Sequence, residues 1–108
     1  MEALVGAAFQ ALGDANRRAI VEELRGGERS VVELTRRLRI SQPAVSRHLR
    51  LLKQAGLVEG EAAGARCLYR LRAEGAQAVR AYLEGVWGEA AARFRLAAAN
   101  APRPGADR

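Results

Sequence analysis

Gln42, Ser46, Arg47 and Arg50 stand four, one and three residues apart, and on a helix that spacing gathers them on one side with Pro43 and Gln54. Val45, Leu49 and Leu52 fall on the opposite side. The first set carries amide, hydroxyl and guanidinium groups, which suit the base edges of a DNA major groove. An amide bonds adenine in bidentate fashion, a guanidinium bonds guanine, and a hydroxyl serves either. No carboxylate interrupts this face. Between Glu33 and Glu59 there is no Asp or Glu, whereas Arg36, Arg37, Arg39, Arg47, Arg50, Lys53 and the sole histidine, His48, fall inside that interval. A run of charge on a helix is commonly only a solvated face, so the neighbouring elements decide what this one is for.

Those elements are readable from caps and periodicity. Ala3 to Leu12 has helical spacing, Gly13 interrupts it, and Asp14 caps a second helix that ends at Gly26 and Gly27. Ser30 followed by Glu33 forms a capping box for a short third helix ending near Leu38. Arg39 and Ile40 make a tight connection. Ser41 then caps a fourth helix, in which Pro43 is tolerated in the first turn and Gly56 supplies the stop. Residues 57–61 and 66–71 have strand character around the turn "AAGA", which gives a two-stranded wing. From Glu74 a helical stripe returns for about twenty residues, through Val79, Leu83, Val86, Trp87, Ala90 and Phe94. The expected fold is mainly α with a small β-hairpin wing, in the order α-α-α-α-β-β-α. Residues 1–98 form one domain, and 99–108, rich in Pro, Gly and Asp, are expected to be a disordered tail.

A short capped helix, a tight turn and a second amphipathic helix form a helix-turn-helix, and the hairpin makes it winged. Gln42, Pro43, Ser46 and Arg47 are then the base-reading residues. Arg36, Arg37, Arg39, Ser41, His48, Arg50 and Lys53 are expected over phosphates, with Arg66 at the wing tip facing a minor groove. The overall charge agrees: 18 Lys and Arg against 12 Asp and Glu favour a polyanionic partner, double-stranded DNA. The N-terminus has no basic leader and no uncharged run approaches the roughly 20 residues that span a bilayer, so a cytoplasmic protein with no membrane partner is expected. Cys67, the one cysteine, cannot form an internal disulfide and reads as a small apolar strand residue. No acid, base and nucleophile are grouped, and Ser46 and His48 at i and i+2 face different ways on a helix, so no enzyme is expected.

The stretches "FQALGDANRRAIVEEL", "SQPAVSRHLRLLKQAGLV" and "GARCLYRL" resemble the ArsR/SmtB family of winged-helix bacterial repressors over roughly residues 5–95. The run Ser-Gln-Pro-x-x-Ser-Arg-His-Leu is the most specific part. The resemblance implies a homodimer that binds an inverted repeat in a promoter and is joined through the first and last helices. Leu4, Val5 and Phe9 would meet Val79, Leu83, Val86, Trp87, Ala90 and Phe94 across that interface, and a close helix contact would explain Gly85 and Gly88. Many members of the family hold a metal through a Cys-x-Cys pair at the start of the third helix, to which Ser30 and Val32 correspond here. Others build a site on the last helix from Asp, His and Glu, but this helix has no His, and Glu74, Glu84 and Glu89 lack nitrogen partners. No metal and no cofactor are expected. The effector, a small molecule or a protein, stays open. Two other readings of the basic face also stand: a module that docks on an acidic protein, and an architectural DNA binder indifferent to sequence.

Overall fold

Side-chain oxygens fix where three of the helices begin. The structure, a computed structural model, describes the backbone of residues 2–100 and the side chains of residues 5–100. After α1 (Glu2–Ala11), Asp14 accepts from the amides of Asn16 and Arg17 at 2.8 and 3.1 Å and opens α2 (Ala15–Leu24). Ser30 opens α3 (Val31–Leu38) with the full reciprocal box: its hydroxyl accepts from the Glu33 amide at 3.2 Å, and Glu33 accepts from the Ser30 amide at 2.9 Å. Ser41 accepts from the Ala44 amide at 3.2 Å and opens α4 (Gln42–Gln54). Each oxygen satisfies first-turn amides that have no partner within the helix. The end of α1 is closed from outside. Arg17 donates to the carbonyl of Ala11 and Arg18 to that of Leu12, both at 2.6 Å, so these two bases are occupied with orphan carbonyls.

The sheet has three strands, β1 (Arg29–Ser30), β2 (Val58–Ala63) and β3 (Arg66–Leu71), in the order β1-β3-β2 and antiparallel throughout. Residues 64 and 65 alone form the hairpin turn, with Ala63 facing Arg66 and Gly64 at φ +66°, a conformation that costs glycine nothing. The wing expected with two strands thus gains a third. Ser30 pairs with Leu68 while it caps α3, and a strand of two residues is too short to leave an alternating pattern in the sequence.

The core lies where α2, α3, α4 and the sheet converge. Ile20, Leu34, Val45, Leu49, Leu52 and Val58 are fully buried there. Burial of side chains of this size contributes about 1.5–3 kcal/mol each, and a cavity at Leu49 would cost about 2–5 kcal/mol.

The last helix, α5 (Ala73–Asn100), is longer than its apolar stripe suggests. Its 28 residues span about 42 Å. It packs chiefly on α1, and the chain has a radius of gyration of 18.7 Å where a compact one of this length has about 13 Å. Much of α5 therefore projects from the body. Val86, Trp87, Ala90 and Phe94 are exposed along it, Trp87 at 55% and Phe94 at 73%, and the space beside Gly85 and Gly88 is open. Two of the expected interface residues behave otherwise. Val5 is only 7% exposed, one helical turn from the buried Ala8, and Val79 is half-buried against the core cluster, so both are covered by their own chain. Phe9 and Leu83 remain partly exposed, and Leu4 lies outside the described side chains. Of the tail expected over 99–108, Ala99 and Asn100 close α5, and residues 101–108 lie outside the described residues.

Candidate nucleic-acid interface

The two faces of α4 separate as the sequence spacing requires. Val45, Leu49 and Leu52 are buried against the core, which turns Gln42, Pro43, Ser46, Arg47, Arg50 and Lys53 outward, and all six are exposed. The N-terminal turn presents Gln42 and Pro43 first, with Ser46 and Arg47 one turn further along. Ser41 holds that turn with its hydroxyl oxygen, which leaves the hydroxyl proton free to donate.

α3 runs into α4 through residues 39–41, and the turn rests on Arg39. This residue is the C-cap of α3 at φ 57° and ψ 38°, the one non-glycine residue with positive φ among those described. Its amide donates to the carbonyl of Thr35 at 3.0 Å. Left-handed backbone costs an L-residue with a β-carbon roughly 1–2 kcal/mol, so a large basic side chain occupies a position that glycine fills more easily.

Charge on this surface is unequal. Arg36, Arg39, Arg47, Arg50, Lys53 and Arg66 form no ion pair among the described residues, and all six are exposed. Arg37 differs from expectation, because its guanidinium donates to the carboxylate of Glu23 on α2. A pairing partner fourteen residues earlier leaves no mark in local sequence. The wing carries a second neutralised base: Arg70 donates to Glu59 at 2.9 Å and to Glu61 at 2.8 Å, which raises its pKa further. Arg66 stands clear of that cluster at the start of β3, beside the hairpin turn.

His48 departs furthest from the phosphate-contact expectation. It is 6% exposed and its Nδ1 has no hydrogen-bond partner among the described residues, so the ring faces inward. The spacing explains this: His48 follows Val45 by three residues and precedes Leu52 by four, which puts it on the apolar side. Its charge is felt by Asp14, whose carboxyl is held below its ordinary value chiefly by the hydrogen bond from the Arg17 amide, then by Asn16, Arg17 and His48.

The positions that correspond to a metal-binding pair do not suit a soft metal. The Ser30 hydroxyl is committed to its cap, and Val32 offers no donor atom. Among the described residues no group of three His, Cys, Asp or Glu side chains is placed to hold an ion, and no helix is long and apolar enough to cross a membrane. Cys67 is half-buried on β3 near Tyr69, whose phenol pKa is raised first by burial and then by Cys67.

Residues 14–60 match the model of the family described as "Bacterial regulatory protein, arsR family". The HTH-type transcriptional regulator Rv2034 of Mycobacterium tuberculosis is 49% identical over 83 residues, which cover 77% of this chain and 78% of that protein. The HTH-type transcriptional repressor SmtB of the same species is 48% identical over 66 residues, 61% of this chain, and the chain spans about half of that repressor's length, 49%. Among solved structures, an ArsR-like transcriptional regulator from Rhodococcus sp. RHA1 superposes with a TM-score of 0.76 at 28% identity, covering 94% of this chain and 97% of that one.

Proposed function

The chain belongs to the ArsR family of bacterial regulatory proteins, a DNA-binding transcriptional regulator and not an enzyme, and on that premise we propose that it is a homodimeric repressor of a palindromic operator. The observation that carries this reading is the acid-free outer face of α4, exposed while its opposite face is sealed in the core.

In this reading α4 enters the major groove N-terminus first. Gln42, Pro43, Ser46 and Arg47 meet base edges, through an amide, an apolar ring, a hydroxyl and a guanidinium. Arg36, Arg39, Arg50 and Lys53 lie over phosphates with the Ser41 hydroxyl, and set affinity and register without reading sequence. Arg66 reaches the minor groove from the wing. Arg37 and His48 are left out, the first because Glu23 holds it and the second because it is buried.

The exposed stripe of α5 supports the dimer. Val86, Trp87 and Phe94 are too apolar and too contiguous to be left in water at no cost, and two copies of the stripe cover one another, with Gly85 and Gly88 permitting close approach. A two-fold axis there presents two α4 helices to half-sites one helical turn apart, about 34 Å. Repression follows from occupancy of the promoter by this assembly. The protein works in the cytoplasm, and metal does not release it through the Ser30 and Val32 positions, which lack the donors.

The test is a mobility-shift survey of genomic promoter fragments in roughly physiological salt with excess unrelated duplex. A retained complex of two chains per duplex agrees with the proposal. Binding that the competitor removes from every fragment points to an architectural binder, and capture of a stoichiometric acidic protein in place of DNA points to an interaction module.

A further inference from the structure

Beside the start of α5 lies a cleft of about 380 Å³, walled by Leu12, Val21, Leu57, Leu71, Val79 and Leu83. The volume falls in the range of small-molecule sites, about 300–1,000 Å³. It is too small for a helix 10–12 Å across, since an equal-sided space of that volume is about 7 Å wide. A second copy packed along α5 therefore leaves it to be filled by something smaller. The walls are aliphatic, and the charged groups that border them are Arg72, Arg80 and Glu84, a sum of one positive charge. Arg72 pairs with Glu74 and Arg80 with Glu84, each at 3.0 Å and on the surface, and pairs of that kind are held weakly enough to re-form around a new anion.

The same walls form the joint between α4 and α5. The Leu57 amide donates to the Leu52 carbonyl in the last turn of α4 at 3.0 Å, and the Leu57 carbonyl accepts from the Arg72 amide at 2.9 Å. A β-carbon on Gly75 would lie 2.3 Å from the carbonyl oxygen of Gly56, so the two helices meet there with no slack. A molecule wedged between Val21 on α2 and Val79 and Leu83 on α5 changes the angle of α5, and the joint passes that change to α4.

We propose that this cleft is an effector site for a small apolar monocarboxylate, whose chain lies among the leucines and valines and whose carboxylate meets Arg72 and Arg80. The inference rests on the regulator reading above and names its signal. Octanoate is the probe, with the neutral octanamide beside it, titrated calorimetrically into the full chain. One octanoate per chain is expected, octanamide at least tenfold weaker, and loss of both in Ala76→Phe, which fills the cleft from the exposed side. Val21→Phe fills it from the opposite wall should the first variant fail to fold. Octanoate should lower operator affinity about tenfold in the wild type, within the usual 5- to 150-fold coupling, and leave Ala76→Phe unaffected. No binding, binding that survives both fillings, or binding without effect on DNA overturns the proposal. Failure to select any DNA in the absence of octanoate counts against the regulator reading alone, and the calorimetry still decides the cleft.

Discussion

The Phe9 ring meets the Tyr82 ring edge-on, with centroids 5.6 Å apart and planes at 72°. Aromatic pairs in this geometry contribute about 0.5–1.5 kcal/mol beyond their burial. The contact ties α1 to the first half of α5 and fixes which side of α5 the body occupies. Val86, Trp87 and Phe94 then remain in solvent.

If a second copy covers that stripe, Trp87→Glu places a charge in the middle of the interface. Sedimentation equilibrium should show the mass fall from two chains to one, with dimer affinity reduced at least ~100-fold, about 2.7 kcal/mol. The helical circular dichroism signal should persist, because Trp87 touches no core residue of its own chain. A monomeric wild type, or a variant that stays dimeric, would count against this interface.

The free bases and the paired one should separate in salt titrations of DNA binding. Arg50→Ala and Lys53→Ala should each weaken binding on all sequences and reduce the salt slope by about 1. Arg37→Ala should change the slope much less, because Glu23 already neutralises the guanidinium. Equal changes for all three would mean that the ion pair opens on DNA.

Arg39 combines an unfavourable backbone with a free charge. Arg39→Gly should relieve the left-handed strain and, after the larger unfolded-state entropy of glycine is subtracted, gain about 0.5 kcal/mol of stability. The same change should remove one phosphate contact and lower the salt slope by about 1. Chemical denaturation and salt titration of one variant read both effects, and a destabilised variant would refute the strain argument.

The helix caps predict acid sensitivity. Asp14 is held below its ordinary pKa chiefly by the Arg17 amide, Glu33 by the Ser30 amide, and Glu74 by its own amide and then Arg72. Depressed folded-state values mean that this stabilisation is complete above the unfolded-state carboxyl pKa and disappears as pH falls through the folded-state values. Melting temperature should be flat from neutrality to about pH 5 and decline below about pH 4. Asp14→Asn keeps a good cap but cannot titrate, so its decline should be shallower.

Much of this architecture was legible in the chain because local chemistry encodes it. Ser30 with Glu33, Ser41 before Pro43, and the alternation around the hairpin each carry a signal within a few residues. The sides of α4 were legible for the same reason. What escaped is non-local or too short. β1 exists only because Ser30 finds Leu68 across the sheet, and the Arg37 pair depends on how α2 lies against α3. α5 continues past Phe94 because "LAAAN" is rich in strong helix formers, although no apolar stripe extends there. His48 was misjudged by residue type: its spacing matched the buried seam, while its polarity suggested the outer face. Val5 was assigned outward through the family resemblance, and its own helix turns it in.

The central claim is that the outer face of α4 reads sequence, and selection of a randomised duplex library on the purified chain tests it most directly, with Gln42→Ala and Arg47→Ala run in parallel. The account predicts a palindromic consensus with half-sites one helical turn apart, which loses about 1–3 kcal/mol of discrimination at separate, defined bases in the two variants. Enrichment of no sequence, or a consensus that both variants retain unchanged, would contradict it.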